Sequence, residues 1–140
     1  MLPHFNRSAF LYLLLFFFSY CKDQKSYILG TWYFDRYGGP HGEISQSPKI
    51  VEANNLSKGL MITFTRDNKM IFDQPGRKPE STATEIYQMP AGLNQIICGG
   101  DTLKIMLLTS EILELYPKDE MRPALYLKRS KDGKTAMSAP

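Results

Sequence analysis

The sequence has few of the residues that carry most metal and nucleophilic chemistry. Its 140 residues include two cysteines and two histidines, which form no Cys-x-x-Cys or Cys/His pairing. A structural zinc site needs a tetrahedral set of such ligands, so we expect neither a metal nor a cofactor. Nothing else in the sequence favours a catalytic triad built on His41, the lone histidine of a predicted loop. We therefore predict that the chain is not an enzyme, since a hydrolase or metal enzyme would need a polar constellation around His41.

Charge of one sign is also scarce, because the formal net charge is only +3. The one basic cluster lies near the C-terminus, at Lys128, Arg129, Lys131 and Lys134. Nucleic-acid binding needs a larger basic surface, so we expect no nucleic-acid partner. We interpret the cluster as solvated and residues 131–140 as a flexible tail, with contact to anionic lipid head groups as the weaker alternative.

Long apolar runs are absent except at the N-terminus, where residues 9–18 are continuously apolar. This run is about ten residues long, whereas a spanning helix needs about 20. Arg7 precedes the run, and Ser19 and Tyr20 separate it from Cys21. A charged start, a short apolar core and a processing site are typical of a secretory signal, so residues 1–20 are predicted to be a signal peptide.

The position of Cys21 resembles a bacterial lipobox, in which the cysteine directly follows the cleavage site. The resemblance implies a diacylglycerol on the Cys21 thiol and an acylated amine, with chains such as palmitate, and residues 21–26 as lipidated cysteine and tether. The implied location is the cell envelope, where the exported protein would be anchored to the outer membrane. The resemblance does not decide between the periplasmic and the surface face of that membrane. Ordinary cleavage, leaving Cys21 free or bonded to Cys98, is the alternative. With Cys21 lipidated, Cys98 is predicted to be a buried, inert thiol.

Alternating apolar and polar residues dominate the chain after Tyr27. They predict about nine short strands and no helix of ordinary length. Turn signals such as Gly38-Gly39-Pro40 and Asp67-Asn68 separate the strands. Because closure removes unpaired strand edges, we predict an all-β fold: a small antiparallel up-and-down β-barrel of eight to nine strands over residues 27–130. The predicted strands are 27–37, 49–53, 60–65, 70–72, 82–89, 95–98, 102–108, 111–116 and 124–129.

Residues 29–33 (LGTWY) resemble the Gly-x-Trp motif that opens the first strand of lipocalins. Residues 62–69, 107–115 and 124–129 are similar, in the expected order, to the lipocalin-like domain of small bacterial lipoproteins. The resemblance implies that Gly30 allows close backbone approach and that Trp32 plugs the closed end of the barrel. It also implies that Arg129 or Lys128 packs on the Trp32 ring as a cation over an aromatic face. The chain is shorter than a full lipocalin and lacks an evident C-terminal helix, which argues against a large cavity.

Aromatic side chains offer two interpretations, because a barrel of this size holds either side chains or one small ligand. In the first, they line a pocket whose mouth loops are residues 38–43 and 73–79, and the protein is a membrane-anchored module that binds a small hydrophobic ligand. In the second, they fill the interior, and the protein is a structural lipoprotein whose loops contact an envelope protein partner. The candidate pocket residues are Tyr33, Tyr37, Phe64, Phe72, Tyr87, Tyr116 and Tyr126.

Overall fold

The computed structural model describes residues 24–76 and 82–129. Eight strands form a closed antiparallel barrel in which each strand pairs with the next and the last returns to the first. This confirms the predicted up-and-down barrel, with eight strands. The strands are β1 (Gly30–Gly38), β2 (Met61–Phe64), β3 (Lys69–Asp73), β4 (Ala83–Gln88), β5 (Gln95–Cys98), β6 (Asp101–Leu108), β7 (Ile112–Pro117) and β8 (Ala124–Lys128). The predicted signal peptide, Cys21 and the tail at 131–140 lie outside the described residues.

The barrel core follows the alternation of the strands. Inward side chains are buried while their chain neighbours face outward, as with Leu113 and Leu115 on β7. Each large apolar side chain removed from water contributes about 1.5–3 kcal/mol to the free energy of folding. The largest fully buried side chains are Trp32, Tyr87, Phe64, Ile28, Ile62, Ile96, Leu113, Leu115 and Leu127.

Helix α1 (Gln24–Ile28) precedes β1, so the predicted strand start at Tyr27 is wrong. Residues 24–26, which the sequence placed in a tether, belong to this helix. Its last residue, Ile28, is fully buried, and its carbonyl oxygen accepts a 2.8 Å hydrogen bond from Trp32 Nε1. The helix therefore closes one end of the barrel instead of extending β1.

Helix α2 (Pro48–Leu56) replaces the strand predicted at 49–53 and accounts for the eight strands instead of nine. Pro48 occupies its first turn, where the missing N–H would have no intrahelical partner. A short apolar run such as Ile50-Val51 does not by itself distinguish helix from strand. A three-residue 3-10 helix, Pro40–Gly42, lies between β1 and α2.

A β-bulge changes the facing of side chains along β6. The β6–β7 register shifts between Ile105 and Leu107. These two side chains therefore point to opposite faces of the sheet, whereas the alternation predicted that they share one face. Ile105 is 5% exposed, whereas Leu107 is 40% exposed. One inserted residue is sufficient to move every later side chain to the other face.

The two ends of the barrel differ in their coverings. The closed end carries α1, the 65–68 turn and residues 109–111, whereas the open end carries α2, the Gly99-Gly100 turn and the 118–123 loop. Within residues 24–76 and 82–129, no helix has both the length and the apolarity needed to cross a membrane.

Candidate functional site

The closed end brings together Gly30, Trp32 and Arg129. The Arg129 guanidinium carbon lies 4.4 Å from the centroid of the Trp32 ring. Its Nη2 donates hydrogen bonds to the carbonyl oxygens of Leu29, at 2.7 Å, and of Tyr27. Burial lowers the pKa of Arg129.

At this end the structure decides between the two implied cations and differs from the implied role of Gly30. Lys128 points elsewhere and pairs with Asp35 at 2.9 Å, so of the two implied cations it is Arg129 that lies over the ring. A Cβ built on Gly30 would meet no atom within 4 Å, so close approach is not what requires glycine. The φ of +110° is what favours glycine there, because side-chain-bearing residues rarely adopt it.

The interior next to the closed end is filled by side chains. Tyr87 is fully buried and packs edge-on against Phe64, with ring centroids 5.3 Å apart. Its hydroxyl donates a 3.2 Å hydrogen bond to the carbonyl oxygen of Thr65 in the turn below. Tyr87 therefore belongs to the core and does not line the pocket predicted from the sequence.

A cavity of about 590 Å³ occupies the open-end half of the barrel. Its volume lies in the range of small-molecule pockets, about 300–1,000 Å³. Ala53 and Leu56 of α2 lie beside its mouth. Tyr37, Phe64 and Phe72, three of the seven predicted pocket residues, line it. Its other apolar lining comes from Ile62, Met70, Leu103, Leu115, Pro117, Pro123 and Leu125.

One edge of this cavity is polar and was not predicted. Glu85 of β4 and Cys98 of β5 line it side by side, and the Cys98 thiol donates to Glu85 Oε2 at 2.8 Å. Burial and the Glu85 carboxylate raise the pKa of Cys98 to about 12. Arg122 and Asp101, joined by a 3.1 Å ion pair, complete this edge. The period of two in 82–89 places Glu85 on the same face as Tyr87, which is the signal that could have located it.

The structure places Tyr33, Tyr116 and Tyr126 on the outer face of the barrel, so they do not line the cavity inside it. Tyr116 instead lines a neighbouring cavity of about 770 Å³ at the open end. Tyr116 and Tyr126 alternate with the cavity-lining Leu115 and Leu125. Tyr33, opposite Met61 and Lys128 in the sheet, follows the inward Trp32 and so faces outward. Strand alternation identifies two faces but does not say what covers the outer one.

Residues 39–43 cover two of these outer tyrosines. The Tyr126 hydroxyl donates to the Gly39 carbonyl at 2.6 Å and accepts from the Gly42 N–H at 2.8 Å. The Tyr116 hydroxyl accepts from the His41 N–H at 2.6 Å, and the Arg36 guanidinium lies 4.4 Å from the Tyr126 ring centroid. These contacts fix the β1–α2 connection against the outside of the barrel.

His41 itself is exposed and adopts a left-handed backbone conformation, with φ of 59°. Its backbone N–H, not its imidazole, makes the contact with Tyr116. In the part of the chain that the structure describes, no group of three His, Cys, Asp or Glu residues could hold a metal ion.

Both predicted mouth loops reach the open end. Gly38, Gly39 and Pro40 line a neighbouring cavity of about 770 Å³, which shares Ala53, Pro117, Arg122 and Pro123 with the first. Gln74, in the second loop, donates from Nε2 to the carbonyl oxygens of Leu56 at 2.7 Å and Lys58 at 2.9 Å. The second loop is therefore attached to the C-terminal end of α2. Its residues 77–79 lie outside the described part.

Fold and site together define a small closed β-barrel that is filled at one end and hollow at the other. A similar structure is the crystal structure of a DUF4847 family protein from Bacteroides vulgatus, with a TM-score of 0.55 and 13% sequence identity. The similarity covers 77% of this chain and 97% of that one, and at this identity it shows the fold alone. No protein-family model matches the chain, and no curated protein matches it.

Proposed function

We propose that this chain is an exported, membrane-anchored lipoprotein whose lipocalin-like barrel binds one small hydrophobic ligand. The observation that carries the ligand-binding half of the proposal is the open-end cavity of about 590 Å³. Its floor is made by Ile62 and Phe64, both 1% exposed, and its walls are mostly aliphatic and aromatic. Transfer of an apolar ligand from water into such a site is favourable in proportion to the apolar area removed from water.

The anchoring half of the proposal rests on the sequence before Gln24. An apolar run preceded by Arg7 ends just before Cys21, as in bacterial lipoproteins. Acylation of that cysteine with two or more chains would be sufficient for stable attachment to a bilayer. The described chain starts with α1 at the closed end, so an anchor at Cys21 would leave the cavity opening on the far side of the barrel.

The ligand-binding proposal is tested by titrating the full-length protein with a neutral, apolar naphthylamine fluorophore. We expect saturable binding that Ala53→Trp weakens at least about tenfold, because the indole would occupy the cavity beside α2. Ala91→Trp, at an exposed position of the closed end, is the matched control and should leave binding unchanged. No saturable binding, or equal loss in both variants, would contradict the proposal.

The alternative is a lipoprotein that contacts an envelope protein through its loops. Exposed apolar side chains around the open end favour it: Ile44 and Met121 are 76% and 91% exposed, and Val51 and Leu56 are also exposed. This alternative predicts a specific protein crosslink in cells from probes at Met121 but not at Leu93, an exposed apolar residue of the closed end. A crosslink together with failure of the fluorophore titration would favour the alternative.

A further inference from the structure

We infer that the cavity selects single-chain amphiphiles by their head group, favouring an amine over a hydroxyl and a hydroxyl over a carboxylate, with the Glu85 carboxylate as the selecting group. This inference rests on the proposed function, since it names the chemical class of the ligand of the same cavity. The cavity is asymmetric: apolar side chains surround most of it, and its charged side chains lie together near the place where β4 and β5 separate.

The charges at the polar edge do not cancel. Asp101 is paired with Arg122, whose Nη1 lies 3.1 Å from Asp101 Oδ2. The partner of the Glu85 side chain among the described residues is the Cys98 thiol, which is uncharged at neutral pH because burial and Glu85 raise the pKa of Cys98 to about 12. Within the described lining, one carboxylate is therefore left without a cationic partner.

The Glu85 carboxylate is fixed by one hydrogen bond and lies close to Gly99. Cys98 Sγ donates to its Oε2, and a Cβ built on Gly99 would lie 2.9 Å from the same oxygen. Glycine at 99, with a φ of +56°, thus leaves the room that the carboxylate occupies. A fixed acceptor is more selective than a freely rotating one, because less conformational entropy is lost when a ligand binds it.

The β4–β5 ladder ends next to this carboxylate, although β4 continues alongside β3. β4 pairs with β5 only at Tyr87↔Cys98 and Gln88↔Ile97, so the ladder has stopped before Glu85. Glu85 is exposed on one side and lines the cavity on the other. A chain lying among Phe72, Leu103 and Leu115 can therefore place its head group against Glu85 while that head group keeps contact with water.

The expected selectivity follows from charge. A carboxylate attracts an ammonium group, accepts a hydrogen bond from a hydroxyl and repels a second carboxylate. Because Glu85 is exposed to solvent, screening limits the discrimination. We expect dissociation constants about fivefold lower for the amine than for the carboxylate of equal chain length.

The test is competition for the bound fluorophore by dodecylamine, dodecanol and dodecanoate, each below its micelle concentration, with the full-length protein at neutral pH. The amine should displace the fluorophore at the lowest concentration and the carboxylate at the highest. Glu85→Gln should bring the amine-to-carboxylate ratio close to one. Glu111→Gln, at an exposed position of the closed end, is the matched control and should retain the ratio.

The outcomes separate this inference from the proposed function. Equal affinities for the three compounds, tighter binding of dodecanoate, or a ratio unchanged by Glu85→Gln would each overturn head-group selection while leaving a ligand-binding barrel. Absence of fluorophore binding to the wild-type protein would overturn the proposed function itself. Circular dichroism of Glu85→Gln distinguishes a lost head-group contact from a lost fold.

Discussion

Arg129 stabilises the closed end through one guanidinium that makes three contacts, with the Trp32 ring and with two backbone carbonyls. Arg129→Ala should lower the free energy of unfolding by about 2 kcal/mol, because it removes a cation–π contact and two charge-assisted hydrogen bonds. Urea unfolding measures the change. Lys128→Ala is the neighbouring control, and since it removes an exposed ion pair with Asp35 it should cost less than about 1 kcal/mol. Equal losses in the two variants would contradict this role of Arg129.

Cys98 should react slowly with iodoacetamide in the folded protein. Burial and Glu85 hold the pKa of its thiol at about 12 instead of 9.0, so little thiolate is present at pH 8. In a Cys21→Ser background we expect alkylation at least about tenfold slower in the native protein than in urea. The native rate should continue to rise with pH up to about 12. Glu85→Gln should accelerate the native reaction, because it removes the charge that opposes ionisation, whereas equal native rates with and without Glu85 would contradict this account.

At the residue scale, the sequence predicts which side chains contact each other best where a known motif includes both of them. The Gly-x-Trp motif and the basic residue of the last predicted strand point to Trp32 and Arg129, which the fold brings together. Tyr116 and Tyr126 lie on the outer face in the cluster that holds residues 39–43, and Tyr116 also lines the neighbouring cavity. An amphipathic tyrosine suits a pocket mouth as well as such an outer cluster, so the residue type does not decide between the two faces. That cluster depends on the conformation of residues 39–43, which the local sequence pattern does not predict.

Helix α2 is fixed to the barrel through Asn54. Its Oδ1 accepts from the Tyr37 N–H at 2.6 Å, and its Nδ2 donates to the Tyr37 carbonyl at 3.3 Å. Asn54→Ala should increase amide hydrogen exchange in α2 about tenfold, since two hydrogen bonds of about 0.5–1.5 kcal/mol each are lost. Asn55→Ala, at the exposed next position, is the control. If both variants exchange alike, α2 is held by apolar contacts and not by this amide clamp.

Among the elements, the strands with clean alternation were predicted nearly to the residue. Gln95–Cys98 and the hairpin of β2 and β3 follow directly from apolar periodicity and an Asp-Asn turn, in which Asn68 has a φ of 61°. α2 and the β6 bulge were missed for different physical reasons. The helix is nine residues long with a weak apolar face, so its sequence also fits a strand. The bulge is set by pairing with β7, which is not local information.

For the whole molecule, the orientation of the barrel relates the proposed membrane anchor to the proposed ligand-binding cavity. β1 starts beside α1 at the closed end and finishes at Gly38 beside the open-end cavities, so α1 and the cavity mouth lie at opposite ends. A lipid anchor at Cys21 would thus hold the filled end towards the membrane. In this arrangement the proposed ligand would reach the cavity from the aqueous side and not directly from the anchoring bilayer.

The two cysteines allow a matched test of that anchor. In cells supplied with an alkynyl palmitate analogue, we expect the wild-type chain to be labelled and to sediment with membranes. Cys21→Ser should lose the label and most of the membrane association, because about 0.8 kcal/mol of membrane affinity is lost with each buried methylene. Cys98→Ser should keep both properties, since Cys98 lies buried in the barrel wall, 2.8 Å from Glu85, and is predicted to have no part in anchoring. Label retained in Cys21→Ser would place the acyl chain on another residue, and label absent from the wild-type chain would contradict lipidation altogether. The cavity proposal would then stand on its own geometry.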